Sequence, residues 1–453
     1  MNKHQPLLPD QFAFAVTGNP ILHSKSPAMF NMVFQEYPRL FHFRYCYCRI
    51  AADSAAEAIY LFNQLHLTGM NVTAPFKKEI MDYLDMVDPH ASRIGGVNTV
   101  IRQDNGLIGY NTDFIGVVES LVRHNIPINN RAYIVLGAGG AGRAAAYGLV
   151  RAGADVVIVN RTYEHAMSAA KMTGSRAEDL EPLQHLLNSA DVLIATLAPD
   201  ADIIPETWLR KELVVFDANY KDSPLVAKAQ RRGCRVIPGE EWLLNQAIPT
   251  FGYFTGAEPG PQAMETMRKA ILTRSWEKPQ KIALIGFMAS GKSTVGRILA
   301  KKMGYTFKDF DAKIEKREGQ SIAEIFKSKG EPYFRKVEAA MLKKELHAFT
   351  PIGKGVVYAC GGGAVLSEEN KVQLTSNALV VWLYSSPEVT LGRLQPGTRP
   401  LLEGPDPANE VDTLLQQRLP HYGHTAHLIV NSEKNAEAVA GKIYEEITKT
   451  FHD

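Results

Sequence analysis

The sequence predicts an α/β chain of several bodies: an N-terminal α/β substrate domain, a doubly wound dinucleotide-binding domain and a C-terminal phosphate-loop α/β domain. Three observations carry this expectation. Short apolar runs alternate with helical stretches along the chain. Two glycine-rich loops each stand between such a run and a helix. A length of 453 residues exceeds what one hydrophobic core organises.

The stronger of the two loops follows the buried-strand run Ile282–Ile285, where Gly286-Phe-Met-Ala-Ser-Gly-Lys-Ser293 fits the spacing G-x-x-x-x-G-K-[ST]. Gly286 and Gly291 let the backbone wrap a phosphate without a Cβ clash, and the loop N–H groups of Ser290 to Thr294 add donors at a helix N-terminus. Lys292 is placed to reach the β- and γ-phosphates of ATP, and the Ser293 hydroxyl to ligate Mg²⁺. The second loop follows the strand Tyr133–Leu136, where Gly137-Ala-Gly-Gly-Ala-Gly142 supplies Gly137, Gly139, Gly140 and Gly142 before a helix over Arg143–Arg151. That is the Rossmann arrangement, with a return strand at Asp155–Val159 and further strands at Val192–Thr196, Val214–Asp217 and Arg235–Pro238. Where an NAD site places an acid at the end of the second strand, this chain has Asn160-Arg161-Thr162. An acid would repel a 2′-phosphate and Arg161 would pair with it, so NADPH/NADP⁺ is the expected cofactor.

Bulk composition narrows the partners. With 50 Lys+Arg against 48 Asp+Glu, no net field favours nucleic acid or an acidic membrane, so small molecules are expected instead. Four cysteines without paired metal-ligand spacing, an N-terminus lacking a signal-like apolar core and the absence of a long apolar run predict a cytoplasmic protein.

Ahead of the dinucleotide loop lie three polar clusters, each ending an apolar run. Gly18–Pro27 carries Ser24 and Ser26; Gly69–Lys77 carries Asn71, Thr73 and Lys77; Gly95–Thr99 carries Asn98 and precedes Asn111-Thr-Asp113. Clusters rich in Asn and Thr suit a polyhydroxylated ligand. In such a polar cleft a Lys–Asp pair would hold an ammonium donor where an alkoxide develops during ketone reduction by hydride.

Residues 10–275 resemble shikimate dehydrogenase on these motifs. The resemblance implies Ser24, Ser26, Thr73, Asn98, Tyr220 and Gln246 as substrate contacts, Lys77 as catalytic acid with Asp113 as its partner, and Gly239 at the cofactor. Phe30 stands where many members have His, Pro238-Gly239 replaces Asp-Gly, and His165 occupies a position often held by a more strongly basic residue near the 2′-phosphate.

Residues 280–453 resemble shikimate kinase, an NMP-kinase-like fold. Phe307–Asp311 reads as a strand ending in D-x-D, which the resemblance assigns to Mg²⁺ (Asp309) and substrate hydroxyls (Asp311). It further implies Arg335, in the stretch Gly330–Glu338, and Arg418 as carboxylate clamps, and Gly361, Gly362 and Gly363 beside the substrate. The stretch Arg393–Leu402 matches a lid that would carry Arg399 to the phosphates and Arg393 towards adenine.

The expected division is 1–112 with 240–275 as substrate domain, 113–239 as Rossmann domain, 276–280 as linker and 281–453 as kinase domain. Residues alone reach a dehydrogenase and a small-molecule kinase with an anionic, hydroxylated substrate. The resemblance specifies NADPH-dependent reduction of 3-dehydroshikimate to shikimate, then Mg²⁺- and ATP-dependent phosphorylation to shikimate 3-phosphate. A quinate/shikimate dehydrogenase fused to a kinase of other specificity, or a non-catalytic metabolite sensor, are the alternatives.

Overall fold

The computed structural model describes residues 14–37, 45–104, 106–219, 223–273, 277–351, 353–394 and 406–451. The chain forms two compact units, one of residues 1–27, 34–67 and 274–453, the other of 28–33 and 68–273.

In the first unit seven strands run parallel in the order Thr306–Asp309, Val356–Ala359, Lys281–Ile285, Leu379–Tyr384, Leu428–Asn431, Tyr47–Ala51 and Phe14–Gly18. The central strands are unbroken apolar runs such as Ile282–Ile285 and Leu379–Tyr384, every residue buried, as a parallel sheet covered on both faces requires. The sixth strand comes from the N-terminal part of the sequence: Tyr47–Ala51 pairs with Leu428–Asn431, with Ile50 opposite Ile429 and Ala51 opposite Val430. Two sheet edges that would otherwise expose unpaired backbone close on each other.

The second unit holds a six-stranded parallel sheet in the order Arg235–Ile237, Val214–Asp217, Val192–Ala195, Ala132–Leu136, Asp155–Val159 and Arg176–Glu178. This is the doubly wound order, and its reversal between Ala132–Leu136 and Val192–Ala195 opens a crevice at the strands' C-terminal ends. Two apolar clusters fill the sheet's faces, one around Val135, Ile158, Phe216 and Trp242, the other around Leu136, Val159, Leu193 and Val215. A smaller ladder of Gly69–Val72, Thr99–Gln103 and Gly106–Tyr110 is antiparallel, with Met86–Val87 added in parallel.

One expected element differs. The strand Thr306–Asp309 stops at Asp309, whose carboxylate accepts from Ala312 N–H at 3.3 Å and caps a helix over Phe310–Glu318. Asp311 therefore sits in a first helical turn, because Asp at an N-cap satisfies an orphan helix N–H that a continuing strand would not present.

Candidate active sites

In the second unit, the strand Gly69–Val72 and the loop after it deliver Lys77, and the helix Asp113–Arg123 begins at Asp113. Lys77 Nζ stands 2.6 Å from Asp113 Oδ2, with side chains 18% and 11% exposed, so the ammonium is anchored yet open to a ligand. The other oxygen, Oδ1, accepts from Asn98 Nδ2 at 2.9 Å. Asn98 is buried and fully engaged: it also meets Thr112 Oγ1, its Oδ1 accepts from Thr112 N–H, and Gln246 Oε1 lies 3.5 Å away. Trp242 Nε1 donates to Asp113 O at 3.0 Å, pinning the backbone from the helix Gly239–Thr255, which also carries Gln246. A neutral amide network thus fixes one carboxylate, and that carboxylate fixes one lysine.

The lysine borders the dinucleotide loop. A Cβ at Gly140 would lie 3.7 Å from Lys77 Cδ. Gly137 has φ +111°, and a Cβ at Gly142 would fall 1.9 Å from Gly137 O, so both positions need glycine for the loop to turn. Arg143 stitches this loop to the end of the helix Pro89–Ile94 by donating to Ile94 O and Gly95 O, and it also donates to Ala138 O. Beside it opens a cavity of about 500 Å³ lined by Gly139, Arg143, Asn160, His165 and Lys78 among others. Asn160 Oδ1 accepts from Ala138 N–H at 3.3 Å, and its amide donates to Thr162 O. Arg161 and Thr162 are exposed and outside that lining, whereas His165 is part of it. Gly239 packs against Asn219, where a Cβ would meet the carbonyl oxygen at 2.4 Å. Phe30, the position that departs from His, packs between Phe251 and Phe254 with ring centroids 5.9 and 5.8 Å away. Thr73 is partly buried, its carbonyl accepting from Phe76 N–H at 3.1 Å, and Tyr220 lies outside the described residues.

Ser24 and Ser26 belong to the first unit and are buried. Arg49 Nε donates to Ser24 O at 3.1 Å, and Ser26 hydrogen-bonds the buried Tyr47. Two N–H groups earlier in the same loop, of Ile21 and Leu22, donate to Glu446 Oε2 at 2.7 and 3.0 Å. Burial raises the Glu446 carboxyl above its ordinary range, against the pull of those two donors.

The phosphate loop bridges the strand Lys281–Ile285 and the helix Lys292–Met303. Gly286 adopts φ +147°, with Leu383 O 2.5 Å from any Cβ there, so the loop can pack only as glycine. Lys292 Nζ donates to Gly286 O and Phe287 O at 2.9 and 2.7 Å, and Ser293 Oγ donates to Asp309 Oδ2 at 2.6 Å. The two residues expected at Mg²⁺ are therefore in contact. A cavity of about 510 Å³ runs from Ser290 through Thr294 to Arg393, Ser432 and Lys434. A second, of about 550 Å³, is lined by Arg335, Glu338, Gly361, Gly363 and Arg418. Both include Ser293, Asp309, Asp311 and Gly362, so a donor in one and an acceptor in the other would meet at those residues.

Two arginines line the second cavity. Arg335 Nη1 pairs with Glu338 at 2.8 Å; burial opposes its charge, but Glu338 and Glu331 hold its pKa above the ordinary value. Burial pushes the Glu338 carboxyl up while Arg335 pulls it down. The buried Arg418 lies over the Phe287 ring at 5.6 Å and hydrogen-bonds Tyr422, whose hydroxyl donates to Gly362 O at 2.6 Å. Arg393 Nη2 donates to Ser432 O at 2.8 Å. Arg399 lies outside the described residues. Burial raises the Cys360 thiol far above its ordinary value, which makes it a packing residue.

Sequence reasoning overlooked Trp242 and Arg143 at the first site and the 432–436 segment at the second. Arg143 alone left a signal, as the first charge after a glycine loop.

Comparison with known proteins agrees with this layout. Family models match at residues 16–100 (Shikimate dehydrogenase substrate binding domain), 120–218 (Shikimate / quinate 5-dehydrogenase) and 288–448 (Shikimate kinase). Shikimate dehydrogenase (NADP⁺) of Pyrococcus abyssi is 36% identical over 267 residues, spanning 58% of this chain and 97% of that protein. The crystal structure of shikimate dehydrogenase from Aquifex aeolicus covers 58% of this chain and 97% of its own, at 32% identity and a TM-score of 0.53. That of the Thermus thermophilus enzyme with NADP(H) and shikimate covers 57% and 100%, at 33% and 0.51.

Proposed function

This chain belongs to the shikimate dehydrogenase family and carries a shikimate kinase domain after it, and from that premise we propose roles for its residues in two consecutive reactions. It is a bifunctional shikimate-pathway enzyme, an NADP-dependent shikimate dehydrogenase and a shikimate kinase in one polypeptide. The division we propose is 1–112 with 240–275 for substrate, 113–239 for NADP, 276–280 as linker and 281–453 for the kinase.

The glycine loop fits a dinucleotide: Gly142 leaves no room for a side chain, and Gly139 has open space before it. Bound NADPH supplies the hydride. Lys77 would give its proton to the developing alkoxide of the 3-dehydroshikimate ketone, and in reverse would take the hydroxyl proton. Asp113 holds the ammonium in place throughout, and Asn98 holds Asp113. Ser24, Ser26, Thr73, Asn98, Tyr220 and Gln246 would bind the acid's oxygens.

In the kinase the Ser293 and Asp309 oxygens fit a divalent cation, which when bound neutralises phosphate charge. Lys292 and Arg399 would hold the phosphates, and Asp311 would align the attacking hydroxyl. Arg335 and Arg418 would grip the shikimate carboxylate, and Gly361, Gly362 and Gly363 admit it close to backbone. Among the described residues no helix is long and apolar enough to cross a membrane; we assign the enzyme to the cytoplasm.

The observation that carries the reading is the Lys77–Asp113 pair at 2.6 Å beside a dinucleotide loop, on a chain that also brings Ser293, Asp309 and Asp311 to the meeting of two cavities. Incubating the purified chain with 3-dehydroshikimate, NADPH and Mg-ATP should oxidise NADPH and yield shikimate 3-phosphate. NADPH oxidation that stops at shikimate would sink the kinase assignment, and faster turnover of quinate than shikimate would favour the other dehydrogenase specificity.

A further inference from the structure

The wall of the nucleotide cavity opposite the phosphate loop is the segment after the strand Leu428–Asn431, with Ser432, Lys434, Asn435 and Ala436 lining it. Its outer side rests on the dehydrogenase part of the sequence. Because Tyr47–Ala51 runs parallel to Leu428–Asn431, the two strands end together and their following turns lie side by side. From the dehydrogenase turn and the helix Ala55–Gln64 three residues make contact. Asp53 and Glu57 accept from Lys434 Nζ at 2.6 and 2.8 Å. Glu57 also accepts from Asn431 Nδ2 at 3.1 Å, and Tyr60 OH donates to Glu433 at 3.0 Å.

We propose that Asp53, Glu57 and Tyr60 are positioning residues for the kinase: they hold the 432–436 wall in its nucleotide-binding shape, so that ATP affinity depends on dehydrogenase residues that touch no nucleotide. The inference rests on the kinase reading above. None of the three belongs to the dehydrogenase site proposed there. The Lys434–Asp53 pair is 41% and 50% exposed and is weak alone. The grip is made stronger by its continuation: the buried Lys442 donates to Asp53 and to Ala52 O, both at 2.9 Å, and Glu433 also accepts from Ser386 N–H at 2.8 Å. Burial works against the Asp53 charge, yet Lys434 and Lys442 hold its carboxyl below the ordinary range. On the inner side, Arg393 donates to Ser432 O, so one segment joins the dehydrogenase clamp to the arginine assigned to adenine.

The test is the full chain with Asp53→Asn, Glu57→Gln and Tyr60→Phe combined, changes that keep side-chain size. Affinity for the non-hydrolysable Mg-AMPPNP, read by calorimetry, should fall about tenfold, and the KM for ATP should rise by the same order. The KM for shikimate, the kinase turnover number and both dehydrogenase constants should stay within about twofold, since no group touching those ligands changes. As a conservative rescue, Asp53→Glu should retain affinity that Asp53→Asn loses. Unchanged nucleotide affinity in the folded triple variant overturns the proposal, and so does an equal loss for shikimate and ATP, which would mean general loosening. Reduced Mg-AMPPNP affinity in a chain whose parent does not phosphorylate shikimate would uphold the clamp and reject only the substrate reading; a parent that fails to bind Mg-AMPPNP would reject both.

Discussion

The two glycine loops to which we assign phosphates meet a similar demand with different chemistry. Gly137–Gly142 contains no charged side chain, and the first cation after it, Arg143, spends its donors on the carbonyls of Ile94, Gly95 and Ala138. Gly286–Ser293 contains Lys292 and Ser293, with the serine already in contact with Asp309. A dinucleotide's pyrophosphate is unchanged by hydride transfer, so backbone donors at a helix N-terminus suffice to hold it. A transferring phosphoryl redistributes charge as its bond breaks, which demands a mobile cation and a metal ligand inside the loop. Glycines mark where phosphates lie; the side chains among them tell whether those phosphates react.

The contrast breaks most readily at the lysines, where the largest effect is expected. If each loop serves its own chemistry, Lys292→Ala should cut shikimate phosphorylation by about 10³-fold or more while leaving 3-dehydroshikimate reduction within a few-fold. Lys77→Ala should do the converse, losing at least about 10²-fold in reduction because the alkoxide has no positioned proton donor. Assaying both reactions on both variants gives a crossed pattern, and loss of both activities in either folded variant would mean one coupled unit.

Next in size is the choice of cofactor. Arg161 lies two residues past the strand Asp155–Val159 and is exposed, whereas Arg143 is held by three backbone carbonyls. Replacing it with Asp turns attraction for a 2′-phosphate into repulsion, so the KM for NADPH should rise about 10- to 100-fold and that for NADH much less. Equal rises would take Arg161 out of this role and shift attention to His165, which lines the adjoining cavity.

These expectations separate what local sequence could reveal from what it could not. Both loops and the strands Asp155–Val159 and Val214–Asp217 were legible, because a short apolar run bounded by polar residues is a local pattern. The Lys77–Asp113 contact was not visible in spacing; the two are 36 residues apart, and only the family motifs paired them. Asp311 was read on a strand because D-x-D follows an apolar stretch, while the capping carboxylate of Asp309 starts a helix instead. Least legible was the joint between the two enzymes. Glu446 meets Ile21 and Leu22 across 425 and 424 residues, and no periodicity announces a contact of that range. A strand such as Tyr47–Ala51 reads alike whether solvent or the distant strand Leu428–Asn431 flanks it.

The smallest effect tests what the glycines themselves contribute. A Cβ at Gly142 would lie 1.9 Å from Gly137 O, a backbone atom that cannot swing aside. Gly142→Ala should therefore displace the loop and cost about 1–3 kcal/mol, seen as a lower Tm along with poor NADPH binding. Gly139 differs: it is extended at φ −70°, the N-cap of the helix Gly140–Arg151, and a Cβ there meets nothing within 4 Å. Alanine is a poorer N-cap than glycine by a few tenths to about 1 kcal/mol, while the entropy removed from the unfolded chain returns about 0.4–1 kcal/mol. The two nearly cancel, so Gly139→Ala should leave Tm almost unmoved. What it should change is NADPH affinity, several-fold, because the added methyl stands where the pyrophosphate must approach the backbone. Thermal scans and NADPH titrations of the two variants separate fold from function at positions three residues apart. Normal NADPH binding by Gly139→Ala would show that the dinucleotide does not lie against this turn, and the comparison of the two loops would lose its first half.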